Sequence, residues 1–288
     1  MQAIPIAPLV ATSWFGYRNV SIIRGDLLHP VVSGNKLYKL IPVFEQLEKG
    51  AGTTVMSVGG RYSNHLHALA FAAHAHGMPS VGLVQGYPEQ PLTPTLRDCQ
   101  RWGMTLHWLS KVDYQQRYEE EFWQQWQSEY PGSKAILEGG WSNESIVGGQ
   151  QWWSGIASDT DIVITAVGSG TTLAGLALSA PAHVKIIGIP VFNDPDGYQG
   201  LKQKLAEVGV SENQYELWSG HTGKKFGSLN QEQEEFAEVF YQQNRIKLDP
   251  VYTTKVFHAV QSRLQQDKTL LSKKIAVLHT GGLQGNRK

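Results

Sequence analysis

Short apolar runs alternate with longer helical patterns along most of the chain. TTVMSVG (53–59), SVGLVQG (80–86), TLHWLS (105–110), DIVITAVGSG (161–170), HVKIIGIPV (183–191) and KKIAVLHTGG (273–282) read as strands. Several are continuously apolar rather than alternating, the pattern of strands covered by helices on both faces. Between them, SNHLHALAFAAHAHGM (63–78) is Ala-rich and stops at Gly77, and TPTLRDCQRWG (93–103) stops at Gly103, both fitting helices with a glycine C-cap. Two polar-aromatic blocks, 113–127 and 229–244, also read as helices, the second with Phe236, Val239 and Phe240 at helical spacing toward a core. Strand and helix in this rhythm predict an α/β protein with mainly parallel sheets. There is no internal repeat and no Gly/Ser hinge, so any division into domains must come from the chain folding back.

Composition narrows the function classes. The 288 residues balance 25 basic against 25 acidic side chains, which asks for no nucleic acid, anionic membrane or acidic partner. The single cysteine, Cys99, excludes an intramolecular disulfide and fits a reducing cytoplasm. The apolar start, MQAIPIAPLVATSWF, lacks a basic leader and is interrupted by Pro5 and Pro8, so it does not read as a signal peptide. No run reaches the ~20 apolar residues of a membrane helix. A cytoplasmic protein is expected.

Three glycine turns follow predicted strands. In AVGSGTTLAGLAL (166–178), Gly168, Ser169, Gly170, Thr171 and Thr172 join a strand to a small-residue helix. Glycines let successive N–H groups converge at the helix start, where the dipole favours an anion, and the hydroxyls add donors. The turn is neither a P-loop nor a full GxGxxG, which suits a single phosphate. SVGGRYSNHLHALA (57–70) opens a helix with Ser63 and Asn64 after Gly59-Gly60, and LHTGGLQG (278–285) sets Thr280 beside Gly281-Gly282. Ligands of α/β proteins sit at such strand ends. His65, His67, His74 and His76 carry no metal-site spacing, and no metal is expected.

VSGNKLYKL (32–40) supplies a lysine, Lys36, directly after Gly-Asn at a helix start. One phosphate cup, one such lysine and no magnesium motif point to a ligand with one phosphate and one aldehyde, and pyridoxal 5′-phosphate meets that description. Its aldehyde takes an amine and its ring withdraws electrons from a substrate Cα, so Lys36 would be both anchor and base. Two other readings stay open: a pocket that holds pyridoxal phosphate without catalysis, and a binding protein for another phosphorylated metabolite.

Taken in order, SGNK, GGRYSN, GSGTTLAGL, DPVYTTK and HTGG resemble the 1-aminocyclopropane-1-carboxylate deaminase and D-cysteine desulfhydrase group of fold-type-II, tryptophan-synthase-β-like pyridoxal-phosphate enzymes, over about 26–285. The resemblance implies two open, twisted, mainly parallel sheets flanked by helices, with the cofactor in a cleft between domains. The large domain would be 1–48 plus 148–288 and the small one 49–147, in a homodimer. It implies that Lys36 is the Schiff-base lysine, while Asn35 has no clear role. Ser63 and Tyr252 would be catalytic, and Asn64 would lie at the ring's phenolic side. Gly168 to Thr172 would hold the phosphate, and Thr280 would flank the pyridine. The substrate, a small amino acid, would meet Ser63, Asn64, His65 where glutamine is expected, and Phe226 where a second tyrosine is expected. Thr253 stands where cyclopropane deaminases have a glutamate that protonates the pyridine nitrogen. A neutral residue there suffices for β-elimination, so the likeness leans to a D-cysteine desulfhydrase-like lyase giving pyruvate, ammonia and sulfide, with cyclopropane deamination as the alternative.

Overall fold

The structure is a computed structural model and describes residues 4–47, 52–222 and 227–287. In chain order, β1 (Ala11–Ser13), β2 (Val20–Arg24), α1 (Asn35–Leu47), β3 (Val55–Gly60), α2 (Asn64–Ala75), β4 (Ser80–Gln85), α3 (Pro94–Arg101) and β5 (Met104–Leu109) form the first part. Then come α4 (Lys111–Gln115), α5 (Glu120–Glu129), β6 (Lys134–Ile136), α6 (Asn143–Gly149), β7 (Ile162–Val167) and α7 (Thr171–Leu178). β8 (Lys185–Pro190), α8 (Gln199–Glu207), β9 (Tyr215–Leu217), α9 (Gln231–Asn244), α10 (Thr253–Gln266) and β10 (Ile275–His279) follow, joined in places by 3-10 turns.

Two sheets result, as the strand rhythm predicts. The larger has the order β1-β2-β10-β7-β8-β9 and the smaller β5-β4-β3-β6. Every pairing is parallel except β1 with β2. Strand β7 shows why its sequence is continuously apolar. Val163 and Val167 pack with Leu173 and Leu176 of α7, while Ile162, Ile164 and Ala166 face Phe236 of α9 and Phe257 and Val260 of α10. Period two thus serves two helical layers at once. In the smaller sheet, Met56, Val58, Val81 and Leu83 pack on Phe122 and Trp123 of α5.

The differences from the sequence reading have local causes. The block 113–127 is not one helix: Glu119 is extended (φ −85°, ψ 144°) and splits α4 from α5. Arg117 is drawn instead to Glu138, with its guanidinium between the rings of Tyr114 and Tyr118 at 4.2 and 4.3 Å. Val239 is exposed, while Phe236 and Phe240 are buried as their spacing implies. The edge strands β1, β6 and β9 have three residues each, too few for a period to show.

Close backbone contacts bring α1 to the rest of the site. Pro42 lies inside α1 and has no N–H for the Tyr38 carbonyl. Gly148 of α6 fills that gap so tightly that a β-carbon there would lie 1.8 Å from the Tyr38 oxygen. Gly175 of α7 does the same against α6, where a β-carbon would lie 2.4 Å from the Ile146 oxygen. The tripled helix packing α1–α6–α7 therefore rests on absent side chains. At the other end, Gly34 has φ +65°, and a β-carbon on it would lie 1.9 Å from the Thr280 carbonyl oxygen. Gly16 also has a positive φ (+86°) but has nothing within 4 Å of that position. Gly34→Ala is expected to destabilise the fold by about 3 kcal/mol or more, and Gly16→Ala by about 1 kcal/mol. Urea titration of the two variants checks this, and equal losses would show that the approach to Thr280 is unimportant.

Candidate active site

Lys36 sits in the first turn of α1, and that turn is pinned from two sides. The Gly34 N–H donates to the Gly25 carbonyl at 2.7 Å, and the Asn35 N–H donates to the Thr280 carbonyl at 3.2 Å. The lysine is thereby fixed to the turn after β10. Its Nζ lies 6.0 Å from the ring centre of Tyr252. Burial lowers its pKa from the usual 10.5 to about 8, against the opposing pull of the Asp249 carboxylate. An amine that loses its proton near neutrality is a nucleophile and a base.

The turn after β7 forms the anion cup. Gly170 (φ +89°) starts α7, whose first backbone bond runs from the Ala174 N–H to the Gly170 carbonyl. The N–H groups of Thr171 to Leu173 therefore have no intrahelical acceptor. Ser169 Oγ and Thr171 Oγ1 lie 2.9 Å apart, and Asn35 Nδ2 donates to Thr172 Oγ1 at 3.3 Å. Asn35, left without a role by the sequence, is the strap between the lysine helix and this cup.

A second lysine closes the cup. Lys39, one turn beyond Lys36 and only 3% exposed, donates from Nζ to the Gly139 carbonyl at 2.7 Å and to Ser169 Oγ at 3.1 Å. Burial first, then the charges of Lys36 and Lys204, hold its pKa well below the lysine range. The Gly139-Gly140 turn after β6 forms the facing wall, and Thr171 Oγ1 donates to the Gly140 carbonyl at 3.4 Å. Sequence reasoning missed both features. The signal was there in the i, i+3 spacing of Lys36 and Lys39 and in a fourth glycine pair after an apolar run.

His65 packs against this cluster. A β-carbon at Gly140 would lie 3.3 Å from both the His65 ring and the Lys39 stem. The ring is buried, neither nitrogen has a hydrogen-bond partner, and burial with the neighbouring Lys36 and Lys39 keeps it neutral. The other histidines diverge from it. His67 bonds Asp98 at 3.0 Å, His76 stacks on Phe44 at 4.9 Å, and His74 is exposed. Among the described residues no group of three His, Cys, Asp or Glu side chains could hold a metal.

The remaining candidates lie at the start of α2, at the start of α10 and in the turn after β10. Ser63 caps α2, its Oγ accepting the Leu66 N–H at 3.2 Å. Asn64 follows, with its Oδ1 accepting from Gln284. Tyr252 packs over Gly168, where a β-carbon would lie 3.2 Å from its ring, and burial with Asp249 and Glu138 raises its pKa. Thr253 is buried, and its hydroxyl accepts the Asp249 N–H at 2.7 Å and donates to Asp249 Oδ1 at 2.8 Å. Thr280 is nearly buried; the following Gly281 N–H is held by His279 Nδ1 at 3.2 Å. Phe226 lies outside the described residues.

These residues fit pyridoxal phosphate. The cup offers free helix donors, three hydroxyls and the Lys39 cation for one phosphate, the orphaned imidazole of His65 lacks a partner, and Lys36 offers a depressed amine beside the Tyr252 ring.

Comparison with known proteins agrees. The sequence profile described as "Pyridoxal-phosphate dependent enzyme" matches residues 8–281. A putative 1-aminocyclopropane-1-carboxylate deaminase of Thermotoga maritima is 30% identical, with 93% of this chain and 89% of the relative covered. A D-cysteine desulfhydrase of Yersinia pestis is 26% identical, over 98% of this chain and 92% of the relative. The crystal structure of an ACC deaminase homologue superposes with a TM-score of 0.79 at 26% identity, covering 100% of this chain and 93% of that one.

The lysine shift has a defined sign. Below about 8 Lys36 is charged in both folded and unfolded chains; between about 8 and 10.5 the folded chain holds fewer protons, so stability rises with pH across that window. Acylation of Lys36 in the cofactor-free protein, followed by peptide mass mapping, is expected to reach half its maximal rate near pH 8. A midpoint above 10 would contradict the burial of the amine.

Proposed function

Because the chain belongs to the pyridoxal-phosphate dependent enzymes, with relatives among the 1-aminocyclopropane-1-carboxylate deaminases and D-cysteine desulfhydrases, we propose that it is a carbon–sulfur lyase acting on a small amino acid, D-cysteine above all. The overall reaction takes D-cysteine and water to pyruvate, ammonia and hydrogen sulfide. The observation that carries this choice is Thr253. Its hydroxyl is closed onto Asp249, and Asp249 in turn accepts the N–H groups of Val251 and Tyr252 at 2.9 and 3.0 Å and of Thr253 at 2.8 Å. The position after Tyr252 thus has no carboxyl group to protonate a ring nitrogen. A thiol that departs with its electron pair asks less of the ring than the opening of an unactivated cyclopropane.

When bound, pyridoxal phosphate supplies the aldehyde and the electron-accepting ring. The cup of 168–172 with Lys39 would bind its phosphate, the anion favouring the protonated form of Lys39 there. Lys36 would hold the aldehyde and, once the substrate amine takes that place, accept the Cα proton. At pH 7.5 an amine of pKa near 8 is roughly one quarter uncharged, against roughly 0.1% for an ordinary lysine. Tyr252, kept protonated by burial and by Asp249 and Glu138, is suited to donate a proton rather than take one. Ser63, which caps α2, would orient the substrate carboxylate, with the helix N-terminus behind it. A homodimer belongs to this proposal through the resemblance alone, and a cytoplasmic location through the single cysteine.

The loaded enzyme is expected to release pyruvate and sulfide from D-cysteine and no 2-oxobutyrate from 1-aminocyclopropane-1-carboxylate. Lys36→Ala is expected to lower pyruvate release by at least ~10³-fold, the order lost when a covalent and acid–base residue is removed. Release of 2-oxobutyrate without pyruvate would overturn the choice resting on Thr253. A loaded protein that turns over neither substrate would favour the non-catalytic reading.

A further inference from the structure

After β10 the chain turns through Gly281 and Gly282 into a 3-10 turn, Leu283–Asn286. This segment belongs to the larger sheet's last strand yet bonds to the helices beside the smaller sheet. Thr95 Oγ1, on α3 and 1% exposed, donates to Gln284 Oε1 at 3.0 Å. The other end of that amide, Gln284 Nε2, donates to Asn64 Oδ1 on α2. Arg287 then anchors the tail: Nη1 meets Asp98 Oδ2 at 2.6 Å, and Nη2 meets His67 Nε2 at 3.2 Å. Asn286 Nδ2 bonds the Leu248 carbonyl at 3.1 Å, and Arg287 Nε bonds the Gln284 carbonyl at 3.2 Å, so the turn itself is held.

The polarity of this chain of bonds matters. A carboxamide has one acceptor end and one donor end. Thr95 takes the acceptor end of Gln284, so the donor end goes to Asn64. With its oxygen turned to Gln284, Asn64 presents its NH₂ group on the other side, and that group lies by the Gly282 turn: a β-carbon on Gly282 would be 3.0 Å from Asn64 Nδ2. We propose that Gln284 is a positioning residue which fixes the Asn64 amide so that a donor, not an acceptor, faces the anionic ring oxygen of pyridoxal phosphate. This rests on reading the site as a pyridoxal-phosphate site with Asn64 at the ring's phenolic side. Thr95 holds the acceptor end of Gln284, which leaves the donor end turned to Asn64. The relay couples the helix that opens with Asn64 to the turn that follows Thr280, so both sides of the ring would be set by one strap.

The test titrates pyridoxal phosphate into the cofactor-free wild type and into Gln284→Glu, Gln284→Met, Thr95→Val and Arg287→Met. It records the dissociation constant, the ratio of the long-wavelength to the near-ultraviolet cofactor band, and the thermal midpoint of each unloaded protein. A carboxylate at 284 accepts at both ends and turns the Asn64 NH₂ toward itself, so Gln284→Glu is expected to weaken binding at least tenfold and to redistribute the bands. Gln284→Met, which frees Asn64 to take either orientation, is expected to weaken it about fivefold, the value of one hydrogen bond. Thr95→Val is expected to move the band ratio in the same direction by less. Arg287→Met cuts the tail's ion pair and is expected to lower the thermal midpoint while leaving the band ratio as in wild type. If affinity merely follows thermal midpoint across all four variants, or if Gln284→Glu binds and absorbs like wild type, the proposal falls. If Gln284→Glu does not fold, a Gln284→Met variant with wild-type affinity and band ratio overturns it equally. A wild type that takes up no pyridoxal phosphate overturns the site reading and this proposal together.

Discussion

Two lysine amines on one face of one helix are held away from water, and most of the site follows from that constraint. Lys36 and Lys39 are three residues apart, and each is stripped of much of its hydration. Two like charges so placed repel each other, and neither has a carboxylate within ion-pairing distance among the described residues. The protein relieves part of this by lowering both pKa values, and by giving Lys39 the Gly139 carbonyl and the Ser169 hydroxyl. The rest of the imbalance is what the proposed function answers with an anion that carries a carbonyl. In the proposed function a phosphorylated aldehyde answers both groups, its phosphate pairing with Lys39 and its carbonyl condensing with the Lys36 amine with loss of water.

What holds the two lysines there is backbone against backbone. Gly34 against the Thr280 carbonyl, Gly148 against the Tyr38 carbonyl and Gly175 against the Ile146 carbonyl lock α1 to β10, α6 and α7 in turn. None of these contacts could form with a side chain in place. Pro42 belongs to the same design, since it frees the Tyr38 carbonyl and makes room for the close approach of α6. Rigid placement of the amine and the cup is therefore a property of small residues spread along the chain, at Gly34, Gly148 and Gly175. The cleft residues themselves contribute hydrogen bonds such as Asn35 to Thr172, which tie the ends of those elements together.

Much of this was legible in the chain. Parallel sheets announce themselves in strands such as β7, whose every residue is buried, and the cup after it has its glycines and hydroxyls in one short stretch. Lys36 was recognisable by its place before a helix and by its company. Less visible were features that depend on distance in space. Lys39 looks like any helix lysine until Gly139 and Ser169 are brought to it from 100 and 130 residues away. Gln284 and Thr95 carry no motif and meet only because the tail crosses between sheets. The sequence shows that the residue after Tyr252 is neutral, but not that its hydroxyl closes a ring with Asp249. The break at Glu119 was hidden for the same reason, because the pull on Arg117 comes from Glu138 across the sequence.

The central claim distinguishes two lysines of α1 that differ in position by one helical turn. Borohydride reduction of the pyridoxal-phosphate-loaded protein, followed by digestion and fragment mass analysis of the peptide spanning 34–47, assigns the modified side chain directly. The pyridoxyl mass on Lys36, with Lys39 unmodified, is the result expected from the depressed amine beside Tyr252 and the phosphate-pairing amine beside Ser169. The same mass on Lys39, or on a lysine outside this helix, would contradict the account.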